Sequence, residues 1–183
     1  EKEVTPKMRS AAKTVNFAVL YGQGAYGLSQ QLQIPVAEAE QYIQNYYKRY
    51  AGVAAYKEKI LAQAKKEKIV RTLLGRLRRF PEIDSRNGNL RAFAERTAFN
   101  TVFQGTAADI IKKGMIAIQG EIEEKFPDVK MILQVHDELV FEVPQKQVPA
   151  VSKMVKERME SAASLAVPLK VDVASGPTWA EAH

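Results

Sequence analysis

The sequence predicts an α+β protein: a helical first part, then an antiparallel hairpin sheet with flanking helices. Three observations lead there. Apolar residues recur at helical spacing through most of residues 5–68, as in amphipathic helices. That period breaks at IVRTLLGRLRRFPEI, where strand-like alternation and a proline appear. Farther on, Met131–Val135 and Leu139–Val143 are apolar runs flanking the polar tip His136-Asp137-Glu138, the pattern of two strands joined by a tight turn. The expected division is residues 1–70 as a helical unit and 71–183 as the sheet-bearing one.

Each element follows from local chemistry. Thr5 suits an N-cap, with Pro6 in the first turn where its missing N–H costs nothing. No breaker appears from there to Gly22. Within this helix Arg9, Lys13, Phe17 and Tyr21 recur every four residues, forming one slowly drifting stripe. Two cations one turn apart without a carboxylate cost an isolated helix roughly 0.2–0.5 kcal/mol. An anion from outside the helix would offset that cost, and the aromatic positions that follow suit a flat ring. The visitor that fits is a nucleotide; the plain alternative is a solvated basic face.

Gly22-Gln23-Gly24-Ala25-Tyr26-Gly27 matches the G-x-G-x-x-G pattern of dinucleotide sites. Such a site needs a strand before it and an acidic residue about 20 positions later at a strand end. Here the candidate acids, Glu38 and Glu40, lie in a run that reads as helix, so the glycines are expected to form the turn closing the first helix. A short helix over Leu28–Leu32 should stop at Ile34-Pro35. Another follows over Val36–Arg49, its tyrosines expected to pack against neighbouring helices. Gly52 should interrupt before a helix over Val53–Lys68.

Ile69–Leu74 alternates like a strand and Gly75 turns the chain. Arg76, Arg78 and Arg79 then bunch before Pro81 without a carboxylate among them, a credible phosphate contact. After a loop over 84–89, one helix is expected from Leu90 to about Phe126, with a bend near Gly105. In it Arg96, Asn100 and Gln104 stand at i, i+4 and i+8. Every base pair offers minor-groove acceptors in nearly the same places, so donors of these types test the shape of a pair without reading its identity; the alternative is a network packing helices together. The adjacent acids Asp137 and Glu138, between strands expected to be buried, repel one another, and a divalent cation would relieve this. A helix over Gln145–Ala163, a last strand over Leu165–Ala174 and a tail from Gly176 to His183 complete the reading.

Composition narrows the function further. The chain has 183 residues, no cysteine and two histidines, so disulfides and the usual Cys/His zinc sites are excluded. No apolar run approaches the ~20 residues of a membrane span, and a cytoplasmic setting is expected. Net charge is +6. Residues 1–113 hold 20 Lys and Arg against 10 Asp and Glu, whereas residues 114–183 hold 7 against 11. Basic surface for phosphates beside acids for metal is what an enzyme acting on nucleic acid requires.

Three motifs carry a family resemblance. Arg-x3-Lys-x3-Phe-x3-Tyr-Gly resembles the fingers helix of the family A DNA polymerases, the bacterial polymerase I group. AERTAFNTVFQGTAADIIK and HDELVFEV are similar to further segments of the same family, so the likeness runs from near Met8 to His183. The resemblance implies helical fingers (1–70) plus part of a palm (71–183), with dNTP and primer–template DNA as partners and two Mg²⁺ ions as cofactors. It implies that Arg9 and Lys13 hold the nucleotide's phosphates, that Phe17 packs on its base and sugar, and that Tyr21 lies near the templating base. Arg96, Asn100 and Gln104 would track the primer–template, joined by Arg76 and Arg78. His136 would sit near the primer end, Asp137 would bind metal and Glu138 would be its acidic neighbour. One departure stands out: the family's other metal-binding aspartate belongs to an Asp-Tyr-Ser motif before the fingers helix, and none of the eight residues preceding Arg9 is aspartate. The resemblance thus implies a polymerase piece that needs a companion polypeptide or further region. A non-catalytic nucleic-acid-binding module and a dinucleotide-dependent enzyme are the alternatives.

Overall fold

Thr5 caps the first helix as its sequence predicts. In the computed structural model, which describes residues 4–182, its Oγ1 accepts the Met8 N–H at 3.2 Å, a cap worth about 1 kcal/mol. Helix α1 runs Pro6–Leu20, α2 Ala25–Leu32, α3 Val36–Arg49 and α4 Ala51–Glu67. Strands β1 (Ile69–Arg71) and β2 (Leu77–Arg79) follow, then a 3-10 turn at Pro81–Asp84 and helix α5, Gly88–Lys125. Strands β3 (Lys130–Val135) and β4 (Glu138–Glu142), a 3-10 turn at Gln145–Gln147 and helix α6, Val148–Glu160, complete the order.

The chain divides into two compact units, Glu1–Thr106 and Ala107–His183. The division falls inside α5 and differs from the boundary at 70 expected from the sequence. The reason is packing: Ile60 and Ala64 of α4, Val70 of β1, Phe80, Ile83, and Ala94, Ala98 and Phe99 of α5 share one buried cluster, so the region after residue 70 completes the core of the first unit. In that unit Ala18, Leu28 and Ala39 also bury together, joining α1, α2 and α3. The second unit has its own cluster, built from Ile118, Ile122, Val129, Val151, Met154 and Val155.

Several sequence expectations need correction. The glycine turn is shorter than expected: Gly24 is the N-cap of α2, and Gly27 lies inside that helix. Tyr50, not Gly52, separates α3 from α4, with Gly52 in the first turn of α4. Tyr42 stays exposed, at 39%, and its hydroxyl donates to Glu38. β1 is three residues long rather than six, because Thr72 turns the chain: its Oγ1 accepts the Arg76 N–H at 3.0 Å and its N–H donates to the Arg76 carbonyl. The arginine run, which the sequence presents as a basic loop, instead forms β2 and pairs with β1 in the register Ile69↔Arg79. Helix α5 continues through Gly105, whose place is explained by proximity: a Cβ there would lie 2.6 Å from the Thr72 methyl. The expected Gln145–Ala163 helix begins with a 3-10 turn and ends at Glu160.

The last expected strand does not form; residues 165–174 carry no strand assignment. A strand exists through a neighbour's hydrogen bonds. Among the described residues β3 and β4 pair only with each other, and the Val171 N–H is taken by Glu160 Oε1 at 3.1 Å. Among the described residues no helix is long and apolar enough to cross a membrane.

Candidate nucleotide and nucleic-acid site

The four-residue stripe of α1 is a surface feature. Arg9, Lys13 and Phe17 are exposed and Tyr21 is half-buried, while Ala18 and Val19 turn inward. Among the described residues, no carboxylate lies within ion-pair distance of Arg9 or Lys13. Phe17 is 51% exposed, and its ring stacks on that of Tyr21, with centroids 6.0 Å apart and an 18° interplanar angle. An open groove of about 380 Å³ runs along them, lined by Ser10, Lys13, Thr14, Phe17, Tyr21 and Gln31 among others. The groove therefore brings a cation and hydroxyls together with stacked rings along one helix. The stripe pattern alone does not single out Ser10, Thr14 or Gln31, although Ser10 and Thr14 stand at helical spacing from Lys13 and Phe17.

The turn after α1 joins this stripe to the second one. Gly22 has φ +74°, which glycine adopts freely and other residues reach only with strain. A Cβ on it would lie 3.2 Å from Cγ of Arg96, so the stem of Arg96 packs on the turn. One helical turn on, Asn100 Nδ2 donates to the Tyr21 carbonyl at 3.4 Å. Asn100 Oδ1 is buried without a hydrogen-bond partner among the described residues. Gln104, at the third position, is exposed. Two stripes read separately in the sequence thus meet at Tyr21-Gly22, both within the first unit.

The residues before the second stripe divide in use. Arg78 is part of its own framework: its guanidinium donates to Thr101 Oγ1 at 3.3 Å and lies 5.3 Å from the Phe80 ring centroid. Arg76 is exposed at the β1–β2 connection. The dinucleotide reading of GQGAYG fails on local structure, since Phe17–Leu20 is helix rather than strand and Glu38 and Glu40 lie on α3.

In the second unit the hairpin forms, but its tip is two residues, with Val135 opposite Glu138. His136 and Asp137 turn the chain and Glu138 opens β4. His136 has φ +52°, where a two-residue hairpin ordinarily wants glycine; a non-glycine residue held there costs of order 1–3 kcal/mol. The expectation that the two acids sit between buried strands is corrected: Asp137 is exposed, Glu138 is half-buried, and Ile132 and Leu133 of β3 are about half exposed, at 50% and 48%. Water can therefore solvate the acids. Their oxygens suit a hard cation, but no group of three or more His, Asp or Glu that could hold a metal occurs among the described residues. Mg²⁺ ordinarily needs octahedral oxygen coordination, so the donor type fits while the donor number falls short.

The surface of the first unit thus sets exposed cations beside an accessible pair of stacked rings, and the sequence pattern behind it is that of one family. The profile of DNA polymerase family A matches residues 1–181, and the chain belongs to that family. DNA polymerase I of Bacillus subtilis is 51% identical over 180 residues, 98% of this chain and 20% of that protein. The thermostable DNA polymerase I of Thermus aquaticus is 46% identical over 98% of this chain and 21% of its own length. A solved structure of the POL domain of Pol1 from M. smegmatis, in complex with DNA primer-template and dNTP, superposes with TM-score 0.94 at 42% identity, covering 98% of this chain and 32% of that one. The chain spans about a fifth of the length of the curated relatives it matches.

Proposed function

We propose that this chain is the nucleotide- and DNA-holding part of a DNA-directed DNA polymerase acting in replication and repair. The observation that carries the reading is the α1 stripe: cations without a carboxylate partner among the described residues lead into stacked, accessible rings beside an open groove. In this reading Arg9 and Lys13 neutralise the triphosphate of a dNTP, Phe17 packs on its base and sugar, and Tyr21 bounds the place of the templating base. Arg96, Asn100 and Gln104 lie against the minor groove, where their donors meet acceptors common to all base pairs. Arg76 and Arg78 stand near backbone phosphates, and His136 near the primer end.

The reaction is attack of a primer 3′-hydroxyl on the dNTP α-phosphate with release of pyrophosphate. Family A polymerases use divalent metal ions, and Mg²⁺ would supply Lewis-acid stabilisation of the phosphoryl oxygens. Asp137 and Glu138 would contribute to holding it. Because these acids make an incomplete ligand set, the remaining carboxylates must come from elsewhere, on a companion polypeptide or a further region of the protein. The chain's own contribution is to bind, orient and neutralise.

A second reading is favoured by the same shortage of metal ligands: a module that binds nucleic acid without chemistry. Primer extension separates the two. The 183-residue chain alone should give no extension with Mg²⁺. Adding the preceding part of a related polymerase I, one that contains the Asp-Tyr-Ser motif, should restore it. Continued inactivity of a folded, DNA-bound complex would favour the binding module, and clear activity of the chain alone would refute the incomplete metal site.

A further inference from the structure

A second recess in the first unit is not used by the stripes described above. It measures about 210 Å³ and is lined by residues that include Arg78, Arg79, Glu82, Leu90, Phe93 and Thr97. Phe93 belongs to α5, one helical turn before Arg96, yet it is 57% exposed and lies outside the buried cluster that holds Ala94, Ala98 and Phe99. The Arg96 guanidinium carbon stands 6.0 Å from the Phe93 ring centroid, and the Arg79 side chain, also exposed, has no ion pair among the described residues. An accessible ring with Arg96 over it, in a recess that Arg79 also lines, has the composition of a platform for single-stranded nucleic acid: bases stack on aromatic faces, and cations follow the backbone.

The shape selects among nucleic-acid states. In a duplex the faces of the bases cover one another and only edges are offered in the grooves. A ring at the mouth of a small recess can stack only on a base that has left the helix or has not yet paired. We infer that the Phe93 recess takes one unpaired nucleotide of the DNA strand that also runs along Arg96, Asn100 and Gln104. Its base stacks on Phe93, and its phosphate faces Arg79. Glu82 at the rim disfavours a free nucleotide, which carries its full phosphate charge into the recess. This inference rests on the DNA-binding reading of the α5 stripe and adds a subsite to it.

The test uses the 183-residue chain and two primer–templates of equal duplex length, one blunt and one with a 5′ template overhang carrying 2-aminopurine. The wild-type chain should prefer the overhang substrate and change the 2-aminopurine emission at one overhang position. Phe93→Ala should remove about 5- to 150-fold of the affinity for the overhang substrate, the range of one lost stack, together with the emission change, while leaving blunt binding intact. Phe93→Trp should keep both, and Arg79→Ala should weaken overhang binding even if Phe93→Ala folds poorly. The inference is overturned if Phe93→Ala and Arg79→Ala bind both substrates as wild type does while Arg96→Ala weakens both. It also fails if dAMP alone competes as well as the overhang strand. Unchanged DNA binding in Arg96→Ala and Gln104→Ala would instead overturn the stripe reading beneath it.

Discussion

Two groups of cations in this molecule are treated in opposite ways. In the second unit, Lys125 and Arg158 both reach Glu121, at 2.9 and 2.5 Å, tying α5 to α6. In the first unit, Arg9 and Lys13 are exposed, with no acid within ion-pair distance among the described residues. Hydrogen bonds from Lys125 and then Arg158 hold the Glu121 carboxyl below its ordinary value, and the same contacts raise Lys125 and Arg158. Cations neutralised within the fold serve the fold. Cations left without partners at a small energetic cost are available to a ligand.

The comparison breaks first, and by the largest margin, at Lys13. In a polymerase carrying this segment, Lys13→Ala should lower primer extension by roughly 10²–10³-fold, the scale of losing one preorganised charge at a developing transition state. The melting temperature should hold within the small effects usual for exposed positions. A large loss of stability would mean that Lys13 belongs to the fold after all. Asp137→Ala in the same enzyme should also abolish extension, and wild-type rates for both variants would end the polymerase reading.

Gly22 sharpens the contrast from the structural side. Gly22→Ala forces a Cβ onto a φ of +74° with Arg96 Cγ at 3.2 Å, and thermal unfolding should show a loss of about 1–3 kcal/mol. His136 is the reverse case. His136→Gly relaxes the +52° turn and should stabilise the chain by up to about 1 kcal/mol, while reducing extension in the complete enzyme. A gain in both would remove any functional reason for the histidine.

The smallest effect is expected at Glu121. Its carboxyl is held below the ordinary value when folded, so its contribution is present above the unfolded value and fades as pH falls through the folded one. Lys125 and Arg158 are about half exposed while the Glu121 side chain is only 14% exposed; solvent screening of the two cations keeps the contribution modest. The melting-temperature gap between wild type and Glu121→Gln should therefore be present near neutral pH and close as acid protonates Glu121. A gap that widens in acid would contradict the sign.

Much of this was legible from residue spacing. Thr5-Pro6, the four-residue stripe and the paired apolar runs around His136 gave α1 and the β3–β4 hairpin because caps, periodicity and tight turns are local properties. What the sequence hid was nonlocal. β2 was missed because Leu77–Arg79 is a basic run whose strand character comes from pairing with β1. The 165–174 strand is expected from composition but does not form, since composition cannot say whether the segment will pair with an edge, and neither β3 nor β4 pairs with it. In the site, the stripe residues were visible one by one, but their meeting at Tyr21-Gly22 was not: it depends on Arg96 and Asn100 reaching across from another helix. The acids stand at the hairpin turn as expected, but the strands flanking them are not buried, because alternation of apolar residues does not reveal which face of a sheet is covered.

The most direct test of the claim that the unpaired cations await a triphosphate is calorimetric titration of the 183-residue chain with a dNTP and with the matching nucleoside, for wild type and Lys13→Ala. The account predicts that wild type binds the dNTP in preference to the nucleoside, that rising salt weakens the preference, and that Lys13→Ala removes at least tenfold of the dNTP affinity, about 1.4 kcal/mol, while leaving nucleoside binding unchanged. Equal dNTP affinity in the two proteins, or a wild type that does not distinguish dNTP from nucleoside, would contradict it.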